Sequence, residues 1–161
     1  MGARRAVLGL ALGFIGCSSG SGPPLASSNA PCTAGEVSFL QQQGSTLLAV
    51  QAKVTGVFVQ YEGMPPYTLL VNTDGGTTEA VQVKWSSPLS YGELGGMTGT
   101  VVMSGQTVCA GDGSTVEEVA SDGASIPTFQ LALRTLSTGS TCPGMPLAGT
   151  LDVCVDASSL L

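Results

Sequence analysis

The chain has 161 residues, no histidine, and five Lys and Arg against eleven Asp and Glu, for a formal net charge of −6. The absence of histidine excludes Ser-His-Asp and Cys-His catalysis, imidazole metal sites and the usual proton shuttle near neutral pH. Scattered cations and a single tryptophan argue against nucleic acid as a partner, because phosphate binding requires clustered Lys and Arg.

Residues 1–17, MGARRAVLGLALGFIGC, open with Arg4 and Arg5, continue through an apolar run from Ala6 to Gly16, and end on Cys17. That is the layout of a secretory signal with a small residue before the cut. The run is shorter than the roughly 20 apolar residues a membrane-spanning helix needs. A conventional cut after Ser28-Asn29-Ala30 would leave Pro31 at the new terminus, far beyond the end of the run. Phe14-Ile15-Gly16-Cys17 resembles the lipobox of bacterial lipoprotein precursors, although that family usually has Leu where Phe14 stands. The resemblance implies removal of residues 1–16, a diacylglyceryl group on the Cys17 thiol and acylation of the new N-terminus. With Ser18 rather than Asp after the cysteine, it also implies outer-membrane sorting. The expected location is thus the bacterial cell envelope, with the membrane as a partner through the lipid.

Loss of residues 1–16 leaves Lys53, Lys84 and Arg134 against all eleven acids. Residues 17–31 are the lipidated cysteine and a Ser/Gly/Pro-rich stretch without charge, expected to act as a flexible tether. Residues 32–161 are expected to form a single domain. With Cys17 assigned to lipid, Cys32, Cys109, Cys142 and Cys154 remain, an even set that reads as two disulfides in an exported chain. Three pairings are possible. Chain position favours Cys142–Cys154 closing a C-terminal hairpin and Cys32–Cys109 tying the N-terminal segment to the body.

From Ala34 to Gln43 the three-residue spacing of Val37 and Leu40, ahead of Gly44, suggests a short helix. Leu48, Val50, Ala52 and Val54 then alternate with polar or small residues, a period of two that marks a strand. At Gly56 the facing changes, and Val57, Val59 and Tyr61 become the apolar members, which signals a bulge or bend. Tyr67, Leu69 and Val71 form the next strand, and Val81, Val83 and Trp85 share one face of a third. Ser87-Pro88 reads as a helix start and Gly95-Gly96 as its stop. A fourth strand covers Met97 to Ser104, and Cys109 to Ser125 reads as a polar loop or small hairpin. Phe129, Leu131 and Leu133 define a fifth strand, and Leu147, Gly149, Leu151, Val153 and Val155 a sixth.

A long bent strand, two more strands, a helix and further strands give an all-β chain. Residues 45–136 resemble the OB-fold, a small Greek-key barrel with its helix between the third and fourth strands. The C-terminal strand is extra to that pattern, and a disulfide-stapled β-sandwich is the alternative architecture. The OB-fold resemblance implies a ligand surface around Tyr61, Met64 and Tyr67, where aromatic faces beside prolines could meet sugar rings or peptide. The stretch from Cys109 to Ser114, followed by Glu117 and Glu118, lacks the regular oxygen spacing of a calcium loop. Glu117 and Glu118, being adjacent, would point to opposite faces of a strand, and Asp152 and Asp156 read as a solvated face. No catalytic set, no cofactor and no metal site is legible. The chain is expected to be a lipid-anchored, non-enzymatic module binding an envelope protein or glycan. An assembly subunit of an envelope complex and a small carboxylate hydrolase are the alternatives.

Overall fold

The fold is seen in a computed structural model that describes residues 28–60, 65–89, 92–119, 128–140 and 142–158. The signal segment, Cys17, Tyr61 and Met64 lie outside the described residues. The chain is built from β1 (Glu36–Gln43), β2 (Thr46–Gln60), β3 (Tyr67–Thr73), β4 (Ala80–Trp85), β5 (Leu94–Met103), β6 (Gln106–Ala110), β7 (Thr115–Val119), β8 (Thr128–Leu133), β9 (Ser137–Thr138), β10 (Met145–Pro146) and β11 (Thr150–Val155).

Eight of these strands close into an antiparallel barrel in the order β1-β2-β3-β4-β5-β7-β8-β11, with β11 pairing back to β1. The ring takes its strands in chain order. β6, β9 and β10 stand outside it as a flap on the C-terminal half of β5. Closure removes most of the sheet edges that would otherwise expose unpaired backbone groups.

Period-two patterning explains why these segments are strands. Leu69 and Val71 of β3, Val81, Val83 and Trp85 of β4, Met97, Val101 and Met103 of β5, and Phe129, Leu131 and Leu133 of β8 all point inward and are buried. Leu151, Val153 and Val155 of β11 complete the set. An eight-stranded barrel is just wide enough to be filled by its own side chains, and here these large apolar groups pack together as the core.

Two glycines shape the ring. β2 pairs with β1 over its first half and with β3 over its second, and the register slips between Val54 and Gly56, at the predicted bulge. β5 also serves two partners along one edge, β7 at Leu94–Gly96 and β6 from Gly99 onward. Gly99 sits at that switch with φ of 139°, and a Cβ there would run into the Gln82 carbonyl and the Val83 backbone. Only glycine fits so close to β4.

Two sequence expectations are corrected. The segment expected to be a helix at 34–43 is strand β1, paired on both edges, with Val37 and Phe39 buried. The Val37–Phe39 alternation, not the Val37–Leu40 spacing, matches the period imposed by the strands on either side. No α-helix occurs among the described residues, so the helix expected from Ser87 to Gly95 is absent there too. Gly95 and Gly96 do not stop a helix. They lie within β5 opposite Val116 and Thr115, and the lack of a side chain at Gly95 leaves room for Leu89.

Candidate binding surface

Since the barrel interior is occupied, the surfaces open to a partner lie outside it. The clearest relief is where β5 changes partner. The connection from β6 to β7 stands out there, pinned by backbone bonds from Gly111 N to the Arg134 carbonyl (3.0 Å) and from Met97 N to the Ser114 carbonyl (3.0 Å). The Ser114 hydroxyl accepts from Arg134 N (2.9 Å) and donates to the Arg134 carbonyl (3.1 Å). Thr135 Oγ1 donates to the Asp112 carbonyl at 2.9 Å.

This rigid wall separates two clefts. One, of about 680 Å³, has Pro66, Lys84, Trp85 and Thr98 on its far side and Ala110–Ser114 on the near side. The other, of about 590 Å³, runs from Thr100 and Cys109 across to Leu136, Cys142 and Pro146. Lys84 gives the first a cation and Asp112 gives both an acid. The rest of the lining is hydroxyl, backbone and apolar surface. That mixture suits neutral polar or amphipathic ligands, with a few placed polar groups to fix orientation.

Of the three residues expected to form a ligand surface, Tyr67 alone lies in the described part. It is partly buried and stacked on Trp85, with ring centroids 6.0 Å apart and planes at 25°. Trp85, 3% exposed, meets Phe129 in turn at 6.1 Å. Tyr67 therefore continues an aromatic row with Trp85 and Phe129. The edge of that row, at Pro66 and Trp85, forms part of the first cleft.

All four domain cysteines are in disulfides, as their even number suggests, but the favoured pairing is corrected. The bridges are Cys32–Cys154 and Cys109–Cys142, with Cα separations of 5.2 and 5.9 Å. Cys109 lies on β6 opposite Ser137 of β9, which brings the loop carrying Cys142 within reach. Cys154 points outward from β11, on the opposite parity to Val153 and Val155, under the incoming N-terminal segment. Sequence spacing carries neither relationship.

That segment forms a strap over the outside of β11. Ser28 and Ala30 are buried, so the packed strap includes at least the four residues before Cys32. Asn29 N donates to Asp152 Oδ2 at 3.0 Å, Ser28 Oγ to the Val153 carbonyl at 3.4 Å, and Gln130 Nε2 to Cys32 Sγ at 3.4 Å. Arg134 Nη1 reaches Asp152 Oδ1 at 2.7 Å and also donates to the Leu133 carbonyl at 2.8 Å.

Asp152 is consequently not part of a solvated face. It is 5% exposed and its two oxygens hold the strap and the guanidinium. Its partner Asp156 sits at the mouth of the same strand. There, partial burial raises the carboxyl pKa. Hydrogen bonds from Ser158, Gly35 and Thr128 lower it by more, so the net displacement is downward from 3.8. Glu117 and Glu118 occupy opposite faces of β7, with Glu118 buried. Among the described residues no three His, Cys, Asp or Glu converge as a metal site.

Comparison with protein-family models, with characterised proteins and with solved structures yields no match.

Proposed function

We propose that this protein is an exported, lipid-anchored component of the bacterial cell envelope that acts as a binding module rather than an enzyme. It engages a protein or glycan partner through the outside of its barrel. One observation carries the reading: the interior is packed with apolar side chains, so recognition falls to the outer clefts beside the β6–β7 connection. Those clefts offer mostly neutral hydrogen-bonding and apolar surface, which fits a sugar or an uncharged peptide segment better than an ionic substrate.

Two features support the location. Phe14-Ile15-Gly16-Cys17 resembles the lipobox of lipid-modified N-termini, and two disulfides are in keeping with an oxidising compartment. Ser28, where the described residues begin, stands eleven positions after Cys17. Eleven residues span at most about 36–40 Å, an upper bound on the distance between Ser28 and a lipid on Cys17.

The test is recovery of the lipidated protein from its native envelope beside a Thr98→Arg variant that crowds the first cleft. A specific partner retained by the wild type and lost by the variant is the expected result. Absence of any specific partner counts against the proposal, and turnover abolished by one Asp or Glu substitution would sink it. The anchor is tested separately by the mass of Cys17→Ser, which should be unacylated; a normally processed, soluble wild type would refute lipidation.

A further inference from the structure

Among the described residues, the closed ring leaves a long edge uncovered. β2 has 15 residues, but its pairing with β3 begins only at Val54, so among the described residues Thr46–Ala52 carries β1 on one side and no strand on the other. The direction of the backbone groups follows from the bonds at its boundary. Val54 N donates to the Gly35 carbonyl, toward β1. Lys53 faces the opposite way: its carbonyl accepts from Asp74 N and its N–H donates to Asp74 Oδ1, both at 2.9 Å. Strand alternation then sends the N–H and C=O groups of Leu47, Ala49 and Gln51 to the open edge as well. The Asp74 carboxylate ends the ladder at Lys53, and the three residues beyond present an unused one.

This edge has none of the usual protections. Natural edges are blunted by lysine, proline, bulges or short length, whereas Thr46–Ala52 reads TLLAVQA. Leu47 is 61% and Leu48 46% exposed. The hairpin from Val37 to Ala52 contains no charged residue, in a chain otherwise dominated by acids.

We infer that this edge pairs with the same edge of a second copy, antiparallel across a two-fold axis at Ala49. That register places Ala49 opposite Ala49 of the other copy and Leu47 opposite Gln51, so every outward N–H and C=O of the three residues gains a partner. It sets Leu48 against Val50 on one face and covers both exposed leucines. The paired ladder ends at Ala52, before Lys53, whose edge Asp74 already fills, so no like charges meet. The self-complementary register selects a second copy as the occupant, and charge permits it. Two acidic molecules repel over most of their surfaces, and this hairpin is a stretch of each that carries no charge. An isologous contact of this kind closes on itself as a dimer, and it goes beyond the cleft-binding role proposed above.

The full exported chain, with disulfides intact, is examined by sedimentation equilibrium in density-matched detergent, alongside Ala49→Pro and Leu47→Lys. Proline at Ala49 removes an N–H that points away from β1, a position where edge strands accept it. The wild type should show a concentration-dependent monomer–dimer equilibrium. Each variant should weaken dimerisation by about tenfold or more, the scale of one or two net hydrogen bonds. Amide exchange of Leu47, Ala49 and Gln51 should slow as wild-type concentration rises. Each variant should retain the wild-type near-ultraviolet spectrum; a dimer lost only together with that spectrum would overturn the assignment to this edge. A wild type that stays monomeric, or a dimer of unchanged strength in both variants, would also overturn the inference. So would a monomer that instead takes up a foreign β-strand peptide, which would reassign the edge to another partner.

Discussion

Removing the Cys32–Cys154 bridge should destabilise the domain more than removing Cys109–Cys142, even though the first holds only a short strap. The perturbation is a pair of double variants, Cys32→Ala with Cys154→Ala and Cys109→Ala with Cys142→Ala. The bridged residues are 122 apart in the first case and 33 in the second. Loop-closure entropy grows with the logarithm of that separation, giving roughly 4.9 kcal/mol and roughly 3.7 kcal/mol respectively. Because the shorter loop is nested in the longer, leaving Cys109–Cys142 in place shortens the free loop and trims the first figure to roughly 4.6 kcal/mol. The strap adds to this difference, since its release uncovers the buried Asp152. Urea unfolding under non-reducing conditions, followed through the buried Trp85, measures both variants on one scale. An equal or larger loss for the Cys109–Cys142 variant would show that the unfolded chain is not governed by loop length, and the reasoning would fail.

Asp152→Asn should destabilise by about 2–4 kcal/mol, because it leaves the Arg134 guanidinium partly buried without its counter-charge. Faster proteolysis between Ser28 and Cys32 should accompany the shift in urea midpoint. Leu131→Ala, at a fully buried position inside the barrel, should lose about 2–5 kcal/mol in the same assay while keeping a native far-ultraviolet spectrum. Gly99→Ala should lose at least about 1–3 kcal/mol from backbone strain alone, and a silent outcome would contradict the close approach to Gln82. For Asp156 the folded-state pKa lies below its unfolded value of 3.8. Its contribution is present above that value and lost as pH falls through the folded pKa. Asp156→Asn should therefore flatten the stability profile in acid below about pH 4 and leave its slope near pH 7 unchanged.

How far the fold could be read depended on whether the signal was local. The alternation in Val81-Gln82-Val83-Lys84-Trp85 carries both the strand and its inward face, and Trp85 is in the core as that parity requires. Gly56 announces its bulge because a glycine falls where the apolar parity reverses. β1 was illegible as a strand because Val37 fits both a three-residue spacing with Leu40 and an alternation with Phe39, and the choice was made by β2 and β11, distant in sequence. The same holds for Gly95 and Gly96, whose meaning depends on β7. Leu48 shows the reverse case: its parity is inward, but β3 ends before reaching it, so it stays exposed. Of the site, the even count of cysteines was readable and their partners were not. Asp152 looked like ordinary surface until the strap crossed it, although an acid flanked by Leu151 and Val153, with Arg134 just past the end of β8, is the available clue.

The strap also has a mechanical consequence. Tension applied to the chain ahead of Ser28 does not peel β1 away from its terminal end. It passes through the Cys32–Cys154 bridge into β11, a strand hydrogen-bonded along both sides, to β1 and to β8. Many ladder bonds then share the load at once instead of failing one by one.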